Sequence, residues 1–202
     1  MAVGVVAYLC GRPASRLPAQ LAVLGAMLAP VGARGQTADE KAQACAGCHG
    51  ENGVPQQNAM PVIWGQQQGY LYLQLRDFKS GARKNDIMGP IAQALERDDM
   101  MALAAYFSQK TWPNLQQPRA PADVAARALQ AMNAVVCSSC HQSQYQGDGT
   151  QPRLAGQWKD YLQQSMLDFR NRSRANNPGM SDLMLSISED DIAACAAYLA
   201  GL

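Results

Sequence analysis

Cys45-Ala46-Gly47-Cys48-His49 returns 92 residues later as Cys137-Ser138-Ser139-Cys140-His141. Outward from these segments the match continues in order. Pro61 pairs with Pro152, Gly65-Gln66 with Gly156-Gln157, Tyr70-Leu71 with Tyr161-Leu162, and Asp77-Phe78 with Asp168-Phe169, all at a spacing of 91. After a one-residue slip, Met88 pairs with Met180, Leu95 with Ile187, Asp98-Asp99 with Asp190-Asp191, and Tyr106 with Tyr198. So many ordered matches read as two copies of one small unit. Pro113, Pro118 and Pro121 keep the join extended, and the division is placed at residues 34–114 and 115–202.

In a Cys-x-x-Cys-His segment two thiols can add to the vinyl groups of one haem while the adjacent imidazole reaches the iron. Two copies, each opening a repeat, therefore predict two covalently bound haem c groups, held by Cys45, Cys48 and His49 and by Cys137, Cys140 and His141. A single zinc bound by both cysteine pairs is disfavoured by their separation and by the histidine after each pair. A thioredoxin-type dithiol lacks its α/β context.

The chain has two histidines, both in the motifs, so neither iron can take a second one. Methionine is the alternative, a soft thioether that favours the reduced ion. Met88 and Met180 both stand 43 residues beyond the first motif cysteine, after a loop rich in Gly, Asn and Arg, and are the expected distal ligands. Met184 is the rival in the second copy, but it aligns with Ala92, which points to packing. The other N–H of each imidazole needs an acceptor. The carbonyls of Pro61 and Pro152 are the candidates. Gly65 and Gly156 are read either as points of close approach to haem or as turns before a helix.

Helix is expected over Ala38–Cys48, Gln68–Lys79 and Arg97–Gln109, and again over Ala122–Cys140, Lys159–Arg170 and Glu189–Leu199, with loops at 50–61, 80–90, 142–156 and 171–182. Helical i,i+4 pairs such as Leu71/Leu75 and Leu162/Met166 support this, and Ser188 with Asp191 resembles a capping box. No alternating strand pattern stands out. Cys195 aligns with Leu103 and is read as a buried free thiol. Arg76, Lys79, Arg83 and Lys84, and likewise Lys159, Arg170, Arg172 and Arg174, are basic groups suited to solvent, haem propionates or an acidic partner.

Residues 1–33 have the pattern of a secretory signal peptide: Arg12 and Arg16, an apolar stretch from Leu17 to Val31, and Val31-Gly32-Ala33 as cleavage site. Cleavage after Ala33 removes Arg12 and Arg16 from the 17 basic residues and leaves 15 against 16 acidic ones, formally −1. Nucleic acid is a poor partner for such a surface.

The paired motifs, Pro61-Val-Ile-Trp-Gly-Gln66, Tyr70 with Asp77-Phe-Lys-Ser-Gly81, and their second copies resemble the dihaem cytochrome c4 family. The resemblance covers residues 38–202. It implies an all-α tandem pair of class I cytochrome c domains, each wrapped around a covalent haem, with Met88 and Met180 as distal ligands. It implies a periplasmic carrier, soluble or peripherally membrane-associated, that passes single electrons to a membrane-bound terminal oxidase or another periplasmic redox protein. Such a carrier is not itself an enzyme. The alternative is the haem subunit of a flavocytochrome-type dehydrogenase, partnered by a flavoprotein subunit. Trp64, Gln142 and the stretch Ser181 to Ser188 depart from the family pattern.

Overall fold

The computed structural model describes residues 1–4 and 37–202. The chain divides into Met1–Arg34 and Gly35–Leu202, and the signal-peptide expectation lies outside the described residues. The first repeat comprises α1 (Ala38–His49), α2 (Gln68–Ser80), α3 (Met88–Gln93) and α4 (Arg97–Ser108). The second comprises α5 (Ala122–Ala134), α6 (Ser138–His141), α7 (Lys159–Arg170), α8 (Pro178–Leu185) and α9 (Glu189–Ala200). Among the described residues there is no strand, only an isolated bridge between Asp148 and Gln151. Among the described residues no helix is long and apolar enough to cross a membrane. Residues 111–121 carry no helix.

Each repeat uses its last helix as the centre. Helix α4 packs on α1 and α2, as α9 packs on α5 and α7. Ala42, Leu71, Leu103, Ala104 and Phe107 form one core. Ala128, Met132, Leu162, Cys195, Ala196 and Leu199 form its counterpart. A further cluster joins Phe169, Met184, Ile187 and Ile192. The small residues on the last helices let these helices approach closely, while one aliphatic or aromatic side chain per turn fills the space.

Local chemistry fixes the ends. Thr37 and Glu40 form a capping box at the start of α1, with Thr37 N–H donating to Glu40 at 2.8 Å. Gly50 closes α1 at φ 88°, where a Cβ would lie 2.0 Å from the Val54 oxygen. Gln142 occupies the corresponding place at φ 68°, ψ 163°, a region that suits glycine and costs other residues on the order of 1–3 kcal/mol. Q142G is therefore expected to raise the thermal midpoint of the protein, read by calorimetry.

Two expectations are corrected. Helix does not run unbroken from Ala122 to Cys140. It stops at Ala134, Val136 takes φ 55°, and Cys137 N–H reaches back to the Met132 oxygen at 3.0 Å. The adjacent β-branched Val135 and Val136 give the helix little reason to continue. Conversely, Met88 and Met180 do not lie in open loop but in the first turns of α3 and α8.

Equivalent carboxylates pin the last helices to the first. Asp99 pairs with Lys41 of α1, and Asp191 with Arg127 of α5 at 2.7 Å. The Lys41 ammonium holds the Asp99 carboxyl below its ordinary value. The Ser188 hydroxyl and then Arg127 do the same for Asp191. A lowered carboxyl stabilises the fold fully above the ordinary carboxylate range and loses that contribution as pH falls through its own value. D99N and D191N should therefore weaken the protein at neutral pH and flatten its acid denaturation limb, measured by denaturant titrations across pH.

Cys195 is 2% exposed, and its thiol faces the Ala128 oxygen. Burial pushes the thiol up to about 12, so almost no thiolate exists at neutral pH. The expected result is no alkylation of Cys195 by iodoacetamide until denaturant is added, checked by mass spectrometry.

Candidate functional site

Both motifs place their three reactive groups on a single turn. In the first half, Cys45, Cys48 and His49 form the end of α1, where the helical rise brings Cys45 and His49 to one face. In the second half, Cys137 caps the one-turn α6, which carries Cys140 and His141. His49 Nδ1 lies 2.8 Å from the Pro61 oxygen, and His141 Nδ1 lies 3.0 Å from the Pro152 oxygen. A carbonyl can only accept, so Nδ1 carries the proton in both rings and Nε2 keeps its lone pair. Burial holds both imidazoles below their ordinary value, which keeps them neutral at pH 7.

His141 Nε2 is buried and has no hydrogen-bond partner. An orphaned lone pair of this kind is costly in a protein interior and has the chemistry of a metal ligand. It stands beside two thiols spaced for haem attachment, so the residues present fit a haem iron. Among the described residues no three His, Cys, Asp or Glu side chains cluster as a metal site, so the two cysteine pairs do not converge on a zinc ion.

The methionines are held alike. Asn85 accepts from Met88 N–H at 2.8 Å, and Asn177 from Met180 N–H at 3.2 Å. Both thioethers sit in the first turn of their helices on half-buried side chains. Met184 instead is 2% exposed and packs with Phe169, Ile187 and Ile192. Lys79 donates to the carbonyls of Gln93, the last residue of α3, and of Leu95 just beyond it. Arg170 donates to those of Met184, Leu185 and Ile187 at the end of α8. These cations of the basic groups thus tie down the methionine helices.

Gly65 and Gly156 serve turns. Gly65 N–H donates to the Phe107 oxygen at 2.8 Å and Gly156 N–H to the Leu199 oxygen at 2.9 Å. A Cβ on Gly65 would meet the Trp112 backbone at 2.9 Å. The close approach is to the chain leaving α4.

A second set of cations lies where the halves meet. Arg83 donates to the Tyr161 hydroxyl at 3.3 Å, and Arg174 to the Tyr70 hydroxyl at 3.2 Å. Each guanidinium also covers a ring of its own half, Arg83 over Phe78 at 4.6 Å and Arg174 over Phe169 at 4.3 Å. Burial alone would raise the Tyr161 hydroxyl, yet Arg83 and Arg174 pull it down to about 7. The cluster has an excess of positive charge and is suited to carboxylates such as haem propionates. Sequence reasoning found these arginines only as members of two basic runs. Their spacing of 91, equal to that of Tyr70 and Tyr161, marks them as equivalent residues of the two repeats, while the crossing itself follows from how the halves meet.

The cytochrome c family model matches residues 33–111 and 125–202. The thiosulfate dehydrogenase electron acceptor of Stutzerimonas stutzeri is 36% identical, with 82% of each chain covered. Cytochrome c4 of Pseudomonas aeruginosa is 32% identical over 80% of this chain and 85% of that one. The solved structure of Acidithiobacillus ferrooxidans cytochrome c4 superimposes with a TM-score of 0.72 at 31% identity, covering 79% of this chain and 99% of the other. Two all-helical repeats with paired attachment motifs, matched over nearly their whole length by such relatives, establish that the chain belongs to the dihaem cytochrome c4 family, electron-transfer proteins with two covalently bound haem c groups.

Proposed function

We propose that this chain shuttles single electrons in the periplasm from a dehydrogenase donor to a terminal oxidase or another redox acceptor. In this reading residues 34–114 and 115–202 are the two haem domains. Cys45, Cys48, His49 and Met88 would hold the first haem, and Cys137, Cys140, His141 and Met180 would hold the second. The bound iron supplies a one-electron Fe(II)/Fe(III) couple. The protein's part is to give each imidazole a fixed tautomer and each thioether a capped helix, so that little rearranges between oxidation states. The observation that carries the reading is the free, buried Nε2 of His141 with its Nδ1–H given to Pro152. His49 with Met88 and His141 with Met180 would hold the two irons from the chain's own side chains, which suits electron transfer rather than chemistry on a bound substrate.

The named role of the Stutzerimonas stutzeri relative supports a donor that oxidises an inorganic sulfur compound. The test mixes oxidised protein with thiosulfate dehydrogenase and thiosulfate, then adds bacterial membranes. The expected result is reduction of both haems followed by oxygen-dependent reoxidation. Avid binding of carbon monoxide by the reduced protein, or high-spin iron without denaturation, would contradict the reading. Reduction only by a tightly bound flavoprotein would replace the free carrier with a dehydrogenase subunit.

A further inference from the structure

Gln66 and Gln157 are equivalent residues, 3% and 2% exposed, and each turns away from its own half. Gln157 Oε1 accepts from Val62 N–H at 2.9 Å while its Nε2 donates to the Val62 carbonyl at 3.0 Å. Gln66 Oε1 accepts from Arg153 N–H at 2.7 Å while its Nε2 donates to the Arg153 carbonyl at 3.0 Å. Each side-chain amide thus closes a two-bond ring on the backbone of the other repeat. Both are rigidly presented. Gln66 Oε1 also receives Gln67 N–H at 2.9 Å, and Gln157 Oε1 receives Trp158 N–H at 3.0 Å, at the entries to α2 and α7.

The position of the grip gives it meaning. Val62 N–H belongs to the same peptide group as the Pro61 carbonyl, which accepts from His49. Arg153 N–H shares its peptide with the Pro152 carbonyl, which accepts from His141. Two unbroken series result. One runs Gln157 Oε1, Val62 N–H, Pro61 C=O, His49 Nδ1–H. The other runs Gln66 Oε1, Arg153 N–H, Pro152 C=O, His141 Nδ1–H. Hydrogen bonds in series polarise one another. An acceptor on the peptide N–H makes the peptide oxygen a better acceptor, and a stronger bond at Nδ1 makes the imidazole a more basic ligand. A more basic ligand favours ferric iron.

We infer that Gln157 is a positioning residue for His49 of the first haem and Gln66 for His141 of the second, so that each half tunes the proximal ligand of the other. The inference rests on His49 and His141 being the proximal ligands. That premise is tested separately by the His/Met spectrum of the unaltered holoprotein.

The experiment uses the full dihaem protein with Q66M and Q157M, substitutions that keep side-chain length and remove both hydrogen bonds. Midpoint potentials are followed haem by haem through assigned haem methyl resonances in a redox titration. Q157M is expected to raise the potential of the N-terminal haem and leave the other in place. Q66M is expected to raise only the C-terminal haem. A shift in the haem of the mutated half, equal shifts in both, or no shift overturns the inference. Q157E keeps an acceptor oxygen whether or not it is ionised, and its N-terminal haem is expected to stay at or below the parent potential. A rise there overturns the inference even if Q157M fails to fold. Normal His/Met spectra with uncrossed potentials would sink the glutamine roles alone, whereas loss of those spectra from the unaltered protein would sink the ligand reading.

Discussion

Met180→Ala is expected to abolish one His/Met signature and spare the other. The near-infrared sulfur-to-iron absorption should fall by about half, and the potential of one haem should drop by a sizeable fraction of the ~0.8 V over which axial ligands tune haem iron. Met88→Ala should give the reciprocal result. The two are separable from the neighbouring methionine by packing. Met184 is buried in the cluster of Phe169, Ile187 and Ile192, so Met184→Ala should leave both signatures intact and cost about 2–5 kcal/mol through the cavity it leaves. Absorption and equilibrium unfolding of the three variants check this, and a Met180 variant that kept both signatures would transfer the ligand role to Met184.

The second large effect concerns folding. Replacing Cys137 and Cys140 together by serine should leave one covalent haem per chain and strip the second half of its organising group. Units of this size are marginal without a staple, and Cys137 packs against the second core. Without a metal, His141 Nε2 stays buried and unpaired, a cost of about 1–3 kcal/mol. That alone lowers the midpoint of such a small unit by on the order of 10 °C. Calorimetry should show an early transition absent from the parent, while the first haem keeps its spectrum. A single unchanged transition would mean that haem does not stabilise the second half.

What could be read from the sequence was whatever repeats locally. The attachment motifs, the candidate proline acceptors and the methionines proposed as distal ligands stand out by their spacing, and Pro61 and Pro152 do receive the histidine N–H groups. The helices whose apolar positions recur at i,i+4 also emerged. Helix α8 was missed although Asn177-Pro178 is a start signal, an N-cap followed by proline in the first turn. The break at Val136 depends on a left-handed residue that no glycine or asparagine announced. The crossed glutamines were visible as a repeated Gly-Gln pair, but not their partners. Their hydrogen bonds join residues 87 and 95 positions apart, and such pairing follows from how the halves meet.

The most direct test of the account is the proton NMR spectrum of the fully reduced, mature protein. Two three-proton methionine methyl resonances, moved far upfield by the ring currents of two porphyrins and lost one at a time in the Met88 and Met180 variants, are the result expected. A single such resonance, or none, would contradict the assignment of a histidine and a methionine to each iron.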